Sequence, residues 1–436
     1  MKNTIILLVC ILVISCKKEE KQILDKQKYN NIIQKYNKQK NLDNDTISID
    51  SISKFKSGTL SNSNDSFNCV NGTPDGGFVY ISDLDGDGGY TFIKINKNGE
   101  KVFEKSFFDY EKSTGLKKPI DTKITVSDNK YIILTKNKIK LLNDIGEVVI
   151  EKNIENLLTD IDEIKKIYCF ENNEIILIGE EYMSNPRIIK LDLDFNLLKT
   201  QNFRHIYNIF GCKDNVHDCR NLDINSIIKD NSNNYYFTGT NDNLFWIGKL
   251  DNNLNVIWDR NNYDKEMRYR PSKGLTILYE NDKNIFVLSE YDSYKGESYL
   301  MSINYLGDKN WSTIIKGSTY SDNIDFMIKS NKNLYTVTNF SDFEFINRKK
   351  RLNPKSVLMQ KIDFEGNLVK SQKLLYSKYY VNLVTGISNK SDNCFYVSGL
   401  VTSSIYNDYI STNLVSKFDI NGNIENKSID LTSYQD

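Results

Sequence analysis

Short apolar runs with a small or polar residue at their end recur along the chain at a nearly regular distance. One series reads FVYIS (Phe78 to Ser82), YIILT (Tyr131 to Thr135), IILIG (Ile175 to Gly179) and YYFTG (Tyr235 to Gly239). It continues as IFVLS (Ile285 to Ser289), LYTVT (Leu334 to Thr338) and FYVSG (Phe395 to Gly399). Runs of this length, rich in β-branched and aromatic residues and bounded by turn formers, predict buried strands. After each comes a second unit: KINKNG (Lys94 to Gly99), LLNDIG (Leu141 to Gly146), KLDLDF (Lys190 to Phe195) and KLDNNL (Lys249 to Leu254). SINYLG (Ser302 to Gly307), KIDFEG (Lys361 to Gly366) and KFDING (Lys417 to Gly422) complete the series. The third position is always Asn or Asp: Asn96, Asn143, Asp192, Asp251, Asn304, Asp363 and Asp419. An Asx side chain accepts hydrogen bonds from backbone N–H groups just beyond it and so starts a tight turn. The sixth position is Gly except at Phe195 and Leu254, and Gly takes the left-handed backbone that returns the chain into a strand. Each unit is therefore predicted to be a hairpin.

The Asx anchors stand 47 to 59 residues apart, about 54 on average. Four short strands per period of this size predict the blades of a β-propeller. The expected fold is all-β, a seven-bladed propeller of four-stranded blades over residues 61–436, each anchor joining strands 3 and 4. A long β-sandwich is the competing architecture. The unit resembles the repeats of quinoprotein-like and WD40-like β-propellers, chiefly in Lys249 through Trp258 and in Asn304 through Trp311. That resemblance implies an aromatic docking position, held here by Phe103, Trp258 and Trp311 but by Ile150, Lys199, Lys370 and Asn426 in the other repeats. No vicinal Cys pair accompanies it, so quinone-dependent oxidation is not expected.

The first 15 residues depart from this pattern. Lys2 leads an apolar run from Ile5 to Ile14 that is too short to span a bilayer as a helix. Its end, Val13-Ile14-Ser15-Cys16, resembles the lipobox of bacterial lipoproteins, which implies acylation of Cys16, a palmitate-type anchor and an outer-membrane address in a Gram-negative cell. Lys17-Lys18-Glu19-Glu20 resembles the short export signal of surface-displayed lipoproteins. Residues 16–60 are rich in Lys, Asn and Gln and are expected to be a flexible tether; as a coil they would reach roughly 35–40 Å. Asp45-Thr46-Ile47 and Asp50-Ser51-Ile52 resemble O-glycosylation acceptors of the same setting.

Composition narrows the function. Lys and Arg number 57 against 57 Asp and Glu. A nucleic-acid reader would be basic, so no nucleic acid is expected. Cys69, Cys169 and Cys394 sit in apolar runs and read as buried thiols. Cys212 and Cys219 bracket a polar loop and are expected to pair as a disulfide in an exported protein; with His205 and His217 nearby, a zinc site is the alternative. Asp83, Asp85 and Asp87 form the first half of a calcium loop, D-x-D-x-D-G, but Thr91 and Lys94 stand where the later ligands belong. Calcium is thus the one candidate cofactor, against a plain acidic hairpin tip. With two histidines and no nucleophile or metalloprotease motif, no catalytic residue stands out.

Loop lengths point to a binding face. Connections after strands 1 and 3 are short, whereas those after strand 2 and between repeats vary, from 6 residues (Thr135 to Leu141) to 23 (Thr338 to Lys361). Insertions gathered on one face mark the side that binds. That face should carry Arg204 to Arg220, Tyr263 to Arg270, Phe340 to Arg351, Lys378 to Tyr380 and Tyr406 to Tyr409. Its candidate ligand residues are Arg204, His205, Tyr207, Arg220, Tyr263, Arg268, Tyr269, Arg270, Arg348, Lys349, Lys350 and Arg351. Aromatic rings stack on sugars and Arg forks grip carboxylate or sulfate. The expectation is a monomeric binding or scaffold module for an acidic glycan or a protein. The alternative is a glycan lyase or hydrolase with its acids on the same face.

Overall fold

A computed structural model of the protein describes residues 46–49, 53–54, 70–75, 77–84, 89–96, 100–108, 122–127, 130–135, 138–157, 161–181, 185–203, 222–241, 244–261, 274–292, 297–316, 324–330, 332–340, 343–346, 349–352, 356–376, 380–389, 394–405, 408–419 and 429–430. These residues are all-β apart from one 3-10 turn, Glu155–Leu157, and the part from Ile47 onward is one compact unit. Cys16, Lys17 to Glu20 and the rest of residues 1–45 lie outside the described residues.

Two short strands come first, β1 (Thr46–Ile49) and β2 (Ser53–Lys54), both within the stretch read as a tether. Five four-stranded antiparallel sheets follow in chain order. The first is β3 (Val70–Gly72), β4 (Phe78–Leu84), β5 (Gly89–Ile95) and β6 (Lys101–Phe108). The second is β7 (Lys123–Ser127), β8 (Lys130–Leu134), β9 (Lys138–Leu142) and β10 (Val148–Asn153). The third is β11 (Ile161–Phe170), β12 (Glu174–Glu181), β13 (Asn185–Leu191) and β14 (Leu197–Asn202). The fourth is β15 (Leu222–Lys229), β16 (Tyr235–Asn241), β17 (Leu244–Leu250) and β18 (Val256–Asn261). The fifth is β19 (Gly274–Asn281), β20 (Asn284–Asp292), β21 (Glu297–Ile303) and β22 (Lys309–Lys316).

The sixth sheet uses β23 (Ile324–Ser330), β24 (Asn333–Phe340), β27 (Ser356–Asp363) and β28 (Leu368–Tyr376), and takes β1 as a fifth strand beside β28. A separate hairpin, β25 (Phe343–Ile346) with β26 (Lys349–Leu352), interrupts it between β24 and β27. The last sheet has three strands among the described residues, β29 (Tyr380–Asn389), β30 (Cys394–Ile405) and β31 (Asp408–Asp419). Finally, β32 (Ile429–Asp430) runs parallel to β2.

The core lies between sheets. Middle strands are buried on both sides; every residue of β5 is buried. Alternate residues of one strand therefore face different neighbours. On β8, Tyr131 and Ile133 pack with Val79 and Phe92 of the first sheet. Ile132 and Leu134 turn the other way, onto Ile175 and Leu177 of the third. The same stacking joins the third sheet to the fourth, the fourth to the fifth and the fifth to the sixth. First strands also lie side by side: β3 by β7, β7 by β11, β15 by β19, β19 by β23 and β23 by β29. β29 in turn lies by β3.

The Asx hairpins form as their chemistry requires. Asp251 Oδ1 accepts from the N–H of Asn253 and of Asn255, each at 2.8 Å, and Asp363 and Asn304 do the same in their own turns. The sixth position is left-handed at Gly146, Gly307 and Gly366, and also at Phe195 (φ 59) and Leu254 (φ 63). Those two side chains are fully buried in the inter-sheet cores, which offsets the steric cost of a left-handed non-glycine residue. The docking position holds as well. Trp311 Nε1 donates to Phe364 O at 2.8 Å in the next hairpin, its ring over Gly366. Trp258 Nε1 donates to Tyr305 O, and the Phe103 ring lies against Gly146.

Candidate functional site

Connectivity places the connections 203–221, 262–273 and 341–355, and the short stretch 377–379, at one end of the sheets, where first and third strands begin and second and fourth strands finish. At Tyr406 to Tyr409, by contrast, β30 and β31 are themselves extended, so that only Tyr406 and Asn407 connect them.

At this end the first strand carries a repeated bulge. Ile164 pairs with Gly179 and Lys166 with Ile178, leaving Lys165 as an extra residue. The same shift isolates Asn225 opposite Gly239, Leu275 opposite Ser289, Asp325 opposite Thr338 and Val384 opposite Gly399. In these five sheets the small residue that closes the second-strand motif thus meets a bulged first strand. At Gly239 a Cβ would fall 1.8 Å from Asp223 O, so the space is already taken by backbone.

Bulges turn a side chain out of the ladder, and here they link successive sheets. Lys165 Nζ pairs with Glu180 at 2.6 Å in its own sheet and with Asp223 at 3.2 Å in the next. Burial opposes the charge on Lys165, but these two carboxylates outweigh it and hold its pKa above the ordinary lysine value. Lys166 donates to Asn225 O, and Asn225 Nδ2 donates to Gly274 O at 2.8 Å in the following sheet. Burial, aided by the charge of Lys165, pulls the Lys166 amine down despite Asp223. Arg187 pairs with Glu181, whose two oxygens also accept from Asn202 Nδ2 at 2.7 and 2.8 Å. The described part of this end therefore carries a row of polar groups engaged with one another.

Of the sequence-derived ligand residues, Arg204, His205, Tyr207, Arg220, Tyr263, Arg268, Tyr269, Arg270 and Arg348 lie outside the described residues, as do Cys212 and Cys219. Lys349, Lys350 and Arg351 belong to β26, in register with Ile346, Phe345 and Glu344. They sit on a paired strand. Asp83 lies in β4 in register with Tyr90; Asp85 and Asp87 fall in the connection from Leu84 to Gly89, outside the described residues. Among the described residues no three His, Cys, Asp or Glu side chains gather to hold a metal ion. Cys169, read from the sequence as a buried thiol, is only half-buried, and its Sγ lies 3.9 Å from Phe170 O.

Sequence reading missed the row formed by Lys165, Asn225 and their partners. Its one signal was the small residue ending each second strand, which marked crowding without naming what crowds it.

The opposite end holds buried lysines, most of them two residues before an Asx anchor. Lys190 pairs with Glu174 at 2.7 Å and donates to Asn252 O at 3.0 Å in the next sheet's hairpin. Glu174 also accepts from Lys229 and, at 2.6 Å, from Tyr235 OH. Burial raises the Glu174 carboxyl, but these donors outweigh it and bring it down to about 2. Lys94 pairs with Asp75 at 2.9 Å in an equivalent place. This end is a repeated structural clasp.

No family model matches the chain, and no curated protein matches it. Solved structures with similar folds include the Pan2 WD40 domain of Neurospora crassa, at 10% identity and TM-score 0.39 over 64% of this chain and 74% of that one. A luciferin-regenerating enzyme overlaps at 10% identity and TM-score 0.38, covering 63% of this chain and 85% of its own. A eukaryotic initiation factor does so at 11% identity and TM-score 0.35, over 75% and 91%. Overlap this partial carries neither substrate nor activity across. By its own sheets, the described part of the chain is an all-β repeat of stacked, mostly four-stranded antiparallel units, propeller-like in arrangement.

Proposed function

We propose that the stacked sheets close as a seven-bladed propeller and that its loop-bearing end binds an acidic glycan or an acidic protein partner. The module would be held at the outer membrane by lipid on Cys16. The observation that carries the binding reading is the inserted hairpin. Lys349, Lys350 and Arg351 stand on a paired strand between β24 and β27, at the end where the long connections gather. A basic run whose only task was to keep a loop solvated would need no strand partner. A backbone already paired as a strand has less main-chain freedom to lose when an anion binds.

The test replaces Arg348, Lys349, Lys350 and Arg351 with Ser, together with Arg268 and Arg270, and measures binding to an acidic glycan array across a salt series. Binding that weakens by at least about tenfold and loses its salt dependence supports the reading; unchanged binding sinks it. New reducing ends from a glycan panel, abolished by one carboxylate substitution, would assign a lyase or hydrolase instead. Labelling with a palmitate analogue should fail for Cys16→Ala. Protease accessibility on whole cells, compared with Lys17 to Glu20 all changed to Ala, separates surface display from the periplasmic side. A melting temperature raised by calcium in the parent but not in the variant Asp83→Asn, Asp85→Asn, Asp87→Asn would assign the ion to that loop.

A further inference from the structure

One cross-strand pair inside the core changes character in the sixth sheet. Between second and third strands, the third sheet sets Leu177 opposite Ile189, and the fifth sets Val287 opposite Met301. Each of these pairs packs onto the preceding sheet. In the same place the sixth sheet has Thr336 opposite Gln360. Leu334 and Ile362, two residues away on the same face, pack on Phe286, Leu288 and Leu300 of the fifth sheet. Strand alternation therefore turns Thr336, Thr338 and Gln360 toward the fifth sheet as well. Thr336 and Thr338 are 0% exposed and Gln360 is 6% exposed. Even so, Thr336 Oγ1, Thr338 Oγ1 and Gln360 Oε1 have no hydrogen-bond partner among the described residues. Hydroxyls that close the second-strand motif elsewhere do find one. Thr135 Oγ1 donates to Lys138 O at 3.3 Å and Ser289 Oγ to Tyr299 O at 3.4 Å.

We propose that Thr336, Thr338 and Gln360 form an internal water site between the fifth and sixth sheets. A hydroxyl both donates and accepts, and the amide oxygen accepts, so the set suits a molecule that also does both. Buried water typically makes about three hydrogen bonds to polar groups that the protein leaves unsatisfied. Side chains with so little exposed surface admit nothing larger. Left dry, three adjoining polar atoms would cost the core more than the apolar pair the fifth sheet uses at this place. The site lies at the root of the inserted hairpin: β24 carries Thr338 just before it, and β27 carries Gln360 just after it. It belongs to the inside of a sheet interface, so it stands or falls separately from the glycan reading.

The test compares the full-length protein with the double variant Thr336→Val, Gln360→Met by water-oxygen relaxation dispersion, which counts water molecules held inside a protein. That variant copies the Val287 and Met301 pair, which this fold already packs. The dispersion should fall by about one water or more in the double variant. It should keep the parent value in Thr338→Ser, which retains the hydroxyl. Thermal melting gives a second reading. Each single variant should melt about 1–3 °C below the parent, because it takes a partner from the water and from the polar groups that remain. The double variant should regain most of that loss, since the whole polar set is then replaced. An unchanged dispersion in the double variant overturns the proposal and leaves a direct bond between Thr336 and Gln360 or a dry site. Single-variant effects that simply add, whether they raise or lower the melting temperature, overturn it too, because groups that share a water must be coupled.

Discussion

Phe195 and Leu254 show how one position can be filled by opposite strategies. Gly146, Gly307 and Gly366 reach the left-handed backbone without steric cost, while Phe195 and Leu254 accept that cost and bury a large side chain. Phe195→Gly would relieve roughly 1–2 kcal/mol of backbone crowding but lose a buried ring worth about 3–5 kcal/mol. The expected net is destabilisation of about 1–4 kcal/mol, read from the urea midpoint at unchanged m value. Glu174 offers a pH test. Its carboxyl is brought from 4.5 down to about 2 in the folded chain, so the stability it contributes is complete above the unfolded value and is lost as pH falls from about 4.5 toward 2. By linkage this amounts to on the order of 3 kcal/mol. Glu174→Gln should lower the melting temperature at neutral pH, where Lys190 and Lys229 lose their counter-charge. Its difference from the parent should shrink through that acid window; a constant difference would contradict the assignment.

At the scale of the element, the pairing of a first-strand bulge with a small residue on the second strand governs the loop-bearing end. Each bulge shifts the ladder by one residue, turning Lys165 or Asn225 out to meet the next sheet. The facing Gly leaves room for the bend. Gly239→Ala should cost more than about 3 kcal/mol, since its Cβ would overlap Asp223 O and backbone cannot yield as a side chain can. Gly179→Ala should cost less, because its Cβ would meet only the side chains of Ile161 and Ile164. Chemical denaturation of the two variants gives the ranking, and the reverse order would remove the argument.

At the scale of the whole molecule, stability is carried by interfaces between neighbouring sheets, as in other repeat architectures. Trp311 joins the fifth sheet to the sixth through its ring, which lies over Gly366, and its bond to Phe364 O. Trp311→Ala should destabilise by about 2–4 kcal/mol. Hydrogen exchange should rise most in the sheets on either side of it, β19 to β22 and β23 to β28, and least in the second sheet. An equal rise everywhere would mean a single indivisible core instead of coupled neighbours.

The hairpins and buried second strands were legible in the sequence because both are local. An Asx residue and a left-handed position three residues on fix a turn whatever surrounds them, and an apolar run with a small terminus announces a strand. Trp258 and Trp311 as docking residues were legible for the same reason, as large rings at a fixed offset from each turn. What β1 pairs with was not legible: Thr46 to Ile49 reads as part of a polar tether until β28, more than 300 residues later, supplies an edge. Nor was the row from Lys165 to Asn225, since a bulge appears only when two strands are placed in register. A basic run in the longest insertion was visible, but its pairing with Phe343 to Ile346 was not. Turn chemistry and periodicity act over a few residues and belong to the sequence; edges, bulges and inter-sheet partners act across hundreds, and only packing decides them.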